Sequence, residues 1–131
     1  MKRLFLLCIV GFIATQAHCQ LIGKTRNQIL SNNYAKGNEL IIDGSVVEDE
    51  YTIMFRMDDK FITYYLKDFV CYKEMYFIPM SYYESMLAVL NKDHSWIGNN
   101  TWKSKDGSGL YYRTAINEYK PQTFTMIISV N

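Results

Sequence analysis

Gly23-Lys24-Thr25 spells the end of a phosphate-binding loop, in which backbone N–H groups cradle phosphate and the lysine reaches its outer oxygens. The full loop is G-x-x-x-x-G-K-[ST], and the position of its first glycine is held by His18. The loop also needs a buried strand before it, whereas the residues here belong to a leader. Thr25 followed by Gln28 is instead a capping box, with the hydroxyl accepting from a free backbone N–H and the side-chain amide reaching back. That pair predicts a helix start with Ile29, Leu30 and Tyr34 as its apolar stripe, and sets nucleotide binding aside.

Beyond the leader the chain holds one cysteine, Cys71, and one histidine, His94. Together they are the minimum for a nucleophile and its base, but such a pair also needs an orienting third group. His94 lies in the polar run Asn91-Lys92-Asp93-His94 and reads as a surface residue. Cys71, in an apolar run, reads as buried in a strand. Zinc ligands come as Cys and His clusters at short spacing, and none is present. Acidic residues cluster at Glu48-Asp49-Glu50 and Asp58-Asp59, types that serve as acid and base in glycoside hydrolysis or as calcium ligands. Neither cluster has the D-x-[DN]-x-[DN]-G spacing, and both fall where strands begin or turn. Asn99-Asn100-Thr101 is a formal glycosylation sequon. The chain is therefore read as non-enzymatic, with no catalytic residue, metal or cofactor.

Tyrosine is the unusual component, with eleven in the chain. Successive residues of a strand point to opposite faces, so the Tyr64-Tyr65 and Tyr111-Tyr112 pairs must each place one ring on either side of a sheet. Tyr64 is expected on the core face with Ile62 and Leu66, and Tyr65 opposite. Tyrosine joins a large apolar body to a polar tip and suits binding surfaces. Tyr65, Tyr72, Tyr76, Tyr111 and Arg113 are the candidate contacts, and cross-strand packing in a tyrosine-rich sheet is the alternative.

The elements that must position these residues begin after a leader. Met1-Lys2-Arg3, the apolar run to Ala14 and the small polar residues after it have the order of a signal peptide, and the run is too short to span a bilayer. Cleavage before Gln20 or after Ala17 is expected. Gln16-Ala17-His18 lack the residues of a lipoprotein signal, so an anchor through Cys19 is not. Losing Lys2 and Arg3 with residues 1–19 leaves 12 basic against 13 acidic residues, a net charge of −1. That balance, with scattered lysines, argues against nucleic acid, and no membrane span is expected in the mature chain.

Residues 20–131 form one α+β domain. After the first helix, Tyr51, Ile53, Phe55 and Met57 alternate, and two further apolar runs follow the breaks at Asp58-Asp59 and Lys67-Asp68. Ser81 and Glu84 predict a second capping box, with Tyr82, Met86, Val89 and Leu90 at helical spacing after it. Asp106-Gly107 predicts a hairpin, Asp43-Gly44 another, and Phe124, Met126, Ile128 and Val130 point inward. The expected fold is an antiparallel sheet of about six to seven strands with two helices on one face. Its order is α-β-β-β(-β)-α-β-β-β, and the halves read as two copies of one helix-plus-strands unit.

Gly23-x-Thr25-x-x-Gln28-Ile29 followed by strands resembles the helix start of small periplasmic proteins with the β-lactamase-inhibitor-protein-like fold, which includes the small lipoprotein of the outer-membrane assembly machine. From Phe61 to Trp102 the chain also resembles small secreted proteins of unknown function from Gram-negative anaerobes. The resemblances imply an extracytoplasmic bacterial protein. The leading expectation is a secreted or periplasmic binding domain with a protein partner. An inhibitor or immunity protein against a secreted enzyme, an envelope-assembly accessory, and a small hydrolase using the acidic clusters are the alternatives.

Overall fold

The computed structural model describes residues 20–47, 50–117 and 122–130, with only the backbone path for 45–47. The predicted leader, Glu48 and Asp49 lie outside the described residues.

Helix α1 (Arg26–Ala35) starts where the capping box places it. Thr25 Oγ1 accepts from the Gln28 N–H, and Gln28 Oε1 accepts from the Thr25 N–H at 3.0 Å. Ile29 of α1 is fully buried, whereas Tyr34 meets Phe55 edge-on and stays half exposed. Four strands follow: β1 (Glu39–Val47), β2 (Glu50–Met57), β3 (Lys60–Lys67) and β4 (Val70–Pro79). A 3-10 turn (Met80–Tyr82) leads into α2 (Tyr83–Asp93), then β5 (His94–Gly98), β6 (Thr101–Ser104), β7 (Tyr111–Ile116) and β8 (Thr123–Ser129).

The fold is α+β with an antiparallel sheet, but among the described residues it has eight strands rather than six or seven, and four strands follow each helix. The strand missed by sequence reading is β5, which lies at the sheet edge with Trp96 and Ile97 exposed, where a buried alternation is not required. Asn99 and Asn100 both adopt left-handed backbone (φ 52° each), the geometry of a type I′ hairpin turn, and they join β5 to β6. Asp68 and Phe69 do the same between β3 and β4.

Two other expectations are corrected. Asp43-Gly44 is not a hairpin but a bulge inside a continuous β1, where Gly44 takes φ +112° and the register with β2 shifts. Ser81 does not cap α2. It sits inside the 3-10 turn, and a capping hydroxyl needs an extended residue just outside the helix. Val130 lies beyond β8 and is exposed.

The sheet order is β1-β2-β3-β4-β8-β7-β6-β5. Exchanging each strand of the first half with its counterpart in the second reverses this order, so the two αββββ units are topologically equivalent and meet at a β4–β8 seam. Both helices cover one face. Asn33 of α1 donates to the Tyr64 hydroxyl at 3.0 Å, Tyr83 of α2 stacks edge-on against Phe124, and the Trp102 indole donates to Asn91 of α2. Under them lies the core, with Ile53 and Phe55 of β2, Ile62 and Leu66 of β3, Ile78 of β4, Phe124, Met126 and Ile128 of β8, and Tyr112 of β7. Among the described residues no helix is long and apolar enough to cross a membrane.

Candidate functional site

Period-two alternation splits both tyrosine pairs as expected. Tyr64 and Tyr112 are buried under the helices, and Tyr65 and Tyr111 point to the other face, which no described helix covers. Directly opposed residues on paired strands share a face, so the register writes out this open surface in rows. One row runs Lys103, Tyr111, Ser129, Lys73, Tyr65, Thr52 across β6, β7, β8, β4, β3 and β2. The next runs Thr101, Arg113, Ile127, Met75, Thr63, Met54. A third carries Thr125, Phe77 and Phe61. The surface is thus an apolar field bordered by alternating lysine and tyrosine.

Cation–π contacts tie that border together. The Lys73 ammonium lies 4.3 Å from the centre of the Tyr65 ring, and Lys103 stands 5.9 Å from that of Tyr111. Tyr72 sits between Lys67 and Lys73, at 5.7 and 5.6 Å. Beside Tyr111 the sheet opens into a shallow cavity of about 250 Å³, lined by Ile97, Asn99, Thr101, Tyr111, Arg113 and Ser129 among others. Of the five candidate residues, Tyr65, Tyr111 and Arg113 lie on this face and Tyr72 adjoins it through the two lysines.

Tyr76 does not join them. It is buried beneath the helices, its hydroxyl 3.3 Å from Glu74 Oε2. The cause is a bulge at the start of β4: Cys71 pairs with Leu66 but Lys73 pairs with Tyr65, so Tyr72 is the extra residue. Beyond it the alternation is inverted, which turns Glu74 and Tyr76 inward and Lys73 and Met75 outward.

Glu74 is the residue that sequence reading overlooked. It is fully buried, and its Oε1 accepts the Leu21 backbone N–H at 2.7 Å. Burial pushes its carboxyl up to about 7, against the pull of the Leu21 and Tyr76 hydrogen bonds. Gln20 alongside donates to the Tyr112 hydroxyl at 2.6 Å, so residues 20 and 21 line the covered face above the centre of the sheet. The sequence hint was a lone acid among apolar neighbours in Cys71–Ile78.

Among the described residues two of the catalytic pairings considered from the sequence are far apart. Cys71 is on β4 and His94 on β5, four strand spacings away in the sheet order, or roughly 19 Å. His94 is buried rather than exposed, stacked on Tyr112 at 4.2 Å, because β5 begins directly at the C-cap of α2 and turns its first side chain inward. Burial pushes the Cys71 thiol up to about 12, so almost none is thiolate near neutral pH. We therefore expect the native protein to resist thiol-specific labelling for hours and to be labelled at once in denaturant. Rapid labelling of the native state would refute this burial.

Glu50 begins β2 and Asp58-Asp59 follow its far end, roughly 25 Å away at strand rise, too distant to act together as acid and base. Ser104 and Ser108 hydrogen-bond Asp106 within their own loop, which holds that carboxyl at about 2. Among the described residues no group of three or more His, Cys, Asp or Glu is arranged to hold a metal. No family model, curated protein or solved structure matches the chain.

Proposed function

We propose that this chain is a non-enzymatic binding domain that docks a protein partner on the uncovered face of its sheet. The observation that carries the reading is the face itself. Large apolar side chains, Met54, Met75, Phe77 and Ile127, stand beside a row of tyrosine–lysine pairs on an antiparallel sheet whose other side already holds both helices. Sheets of this kind ordinarily present a polar side to water, and an apolar field rimmed by polar residues is the composition of an interaction site. A periplasmic or secreted setting is part of the proposal and rests on the leader-like residues 1–19.

Bait protein should capture its partner from envelope and secreted fractions, and Tyr65→Ala with Tyr111→Ala should reduce that capture by at least tenfold without unfolding the bait. Undiminished capture by this double variant refutes the reading. The inhibitor and envelope-accessory readings use the same face and differ in its occupant. A single enzyme at equal stoichiometry supports the first, and an envelope-machinery component supports the second.

A further inference from the structure

We infer that the open face recognises an acidic segment of its protein partner, with one carboxylate held by Arg113 in the cavity beside Tyr111. The inference rests on the binding reading above and adds the chemistry of the occupant.

The guanidinium is held in place for this task. Thr101 Oγ1 donates to the Asn99 carbonyl at 2.9 Å, and Arg113 Nε donates to Thr101 Oγ1 at 3.4 Å. That relay anchors one edge of the planar fork. Nη1 and Nη2 have no hydrogen-bond partner among the described residues, and this parallel pair matches the two oxygens of a carboxylate. No acidic residue lines the cavity.

Charge on the rest of the face points the same way. Of the other cations on this face, Arg56 forms an ion pair, with Glu39. Lys73, Lys103 and Arg113 form none among the described residues, although the chain as a whole is almost neutral. Lys103 and Lys73 share a row with Tyr111 and Ser129 between them, three strand spacings apart, roughly 14 Å. Arg113 stands two residues along β7 from Tyr111, in the next row. The three cations therefore flank the apolar residues Ile127 and Met75 instead of forming one continuous track.

That layout favours a short acidic peptide segment over a nucleic acid. A phosphate chain following the row past Lys73 would arrive at Tyr65, which lies in the field of the Glu50 carboxylate. A repeated negative charge meets repulsion there. A polypeptide with one or two carboxylates and apolar neighbours places the first on Arg113 and lays the second against Ile127, Met75 and Phe77.

The test is a titration of the purified protein at low salt with three fluorescent probes: a decapeptide of Val and Thr that carries two Glu residues, its Gln counterpart, and deca-uridylate. The Glu peptide should bind at least tenfold more tightly than the Gln peptide, and more tightly than the oligonucleotide. Arg113→Gln, an exposed substitution, should remove at least tenfold of that affinity, and Lys103→Gln a smaller part. Absent binding, equal binding of the two peptides, indifference to Arg113→Gln, or preference for deca-uridylate each overturns the inference. If the Glu peptide fails while the Tyr65 and Tyr111 substitutions still abolish partner capture, the acidic chemistry is wrong and the face reading survives. If capture is also untouched, both fall.

Discussion

Glu74→Gln should stabilise the protein by about 3 kcal/mol at pH 8 and change its stability little at pH 5. The carboxyl is fully buried and titrates at about 7 in the folded chain, against an unfolded value near 4.5. Below the unfolded value both states carry the proton, and Glu74 contributes no pH dependence. Between the two values the folded state alone keeps it, so the unfolded state binds fewer protons and stability falls as pH rises. Above about 7 the folded state holds a buried charge and the full loss is present, having grown by roughly 1.4 kcal/mol per pH unit across that window.

Glutamine retains a carbonyl for the Leu21 N–H and offers an amide to the Tyr76 hydroxyl, so it replaces the protonated acid closely. The difference between the two stability curves is the proper readout. His94, depressed by burial, loses stability as pH falls through the unfolded histidine value and works in the opposite direction over part of the same window. Urea denaturation of both proteins at unit pH steps decides the matter. Parallel curves from pH 5 to pH 8 would mean that Glu74 titrates normally and that the covered face is wetter than its burial indicates.

Phe124→Ala should cost about 3–5 kcal/mol, the range for removing a fully buried aromatic ring, whereas Ile127→Thr, three residues along the same strand, should cost under about 1 kcal/mol. Phe124 is completely enclosed and meets Tyr83 of α2 edge-on, with ring centres 5.1 Å apart. Ile127 projects from the opposite side of β8 into the uncovered face. Comparable losses in denaturant titrations would show that something in the isolated chain covers that face, and the binding proposal would lose its site.

Much of this arrangement was legible in local chemistry. The Thr25–Gln28 capping box depends on two hydrogen bonds that the residue types specify, and it forms as read. Tyr64 and Tyr112 turn inward because a strand with Ile62 or Thr114 on its buried side leaves no other choice. Two of the failures share one cause, since an irregular residue changes parity without announcing itself. The bulge at Tyr72 moved Tyr76 and Glu74 to the covered face, and the bulge at Gly44 made one strand of two expected ones. Edge strand β5 has only one buried side chain, His94, so periodicity carries no signal there. Arg113 and Tyr111 were identifiable by type, but their cavity exists only because β5, β6, β7 and β8 are laid side by side.

The single seam between the two αββββ units also bears on how the chain reaches this state. Among the described residues six of the seven strand pairings join neighbours in sequence, and only β4 with β8 is remote, with 43 residues between Pro79 and its partner Thr123. Closing a flexible loop of that length costs on the order of 3 kcal/mol in chain entropy before any seam contact compensates it. Short hairpins within each meander bear no such cost and can form independently. Once β5 to β8 are paired with one another, the loop is no longer flexible, and the remaining step is the meeting of two preformed edges. The search that usually slows large antiparallel sheets is thereby confined to one event.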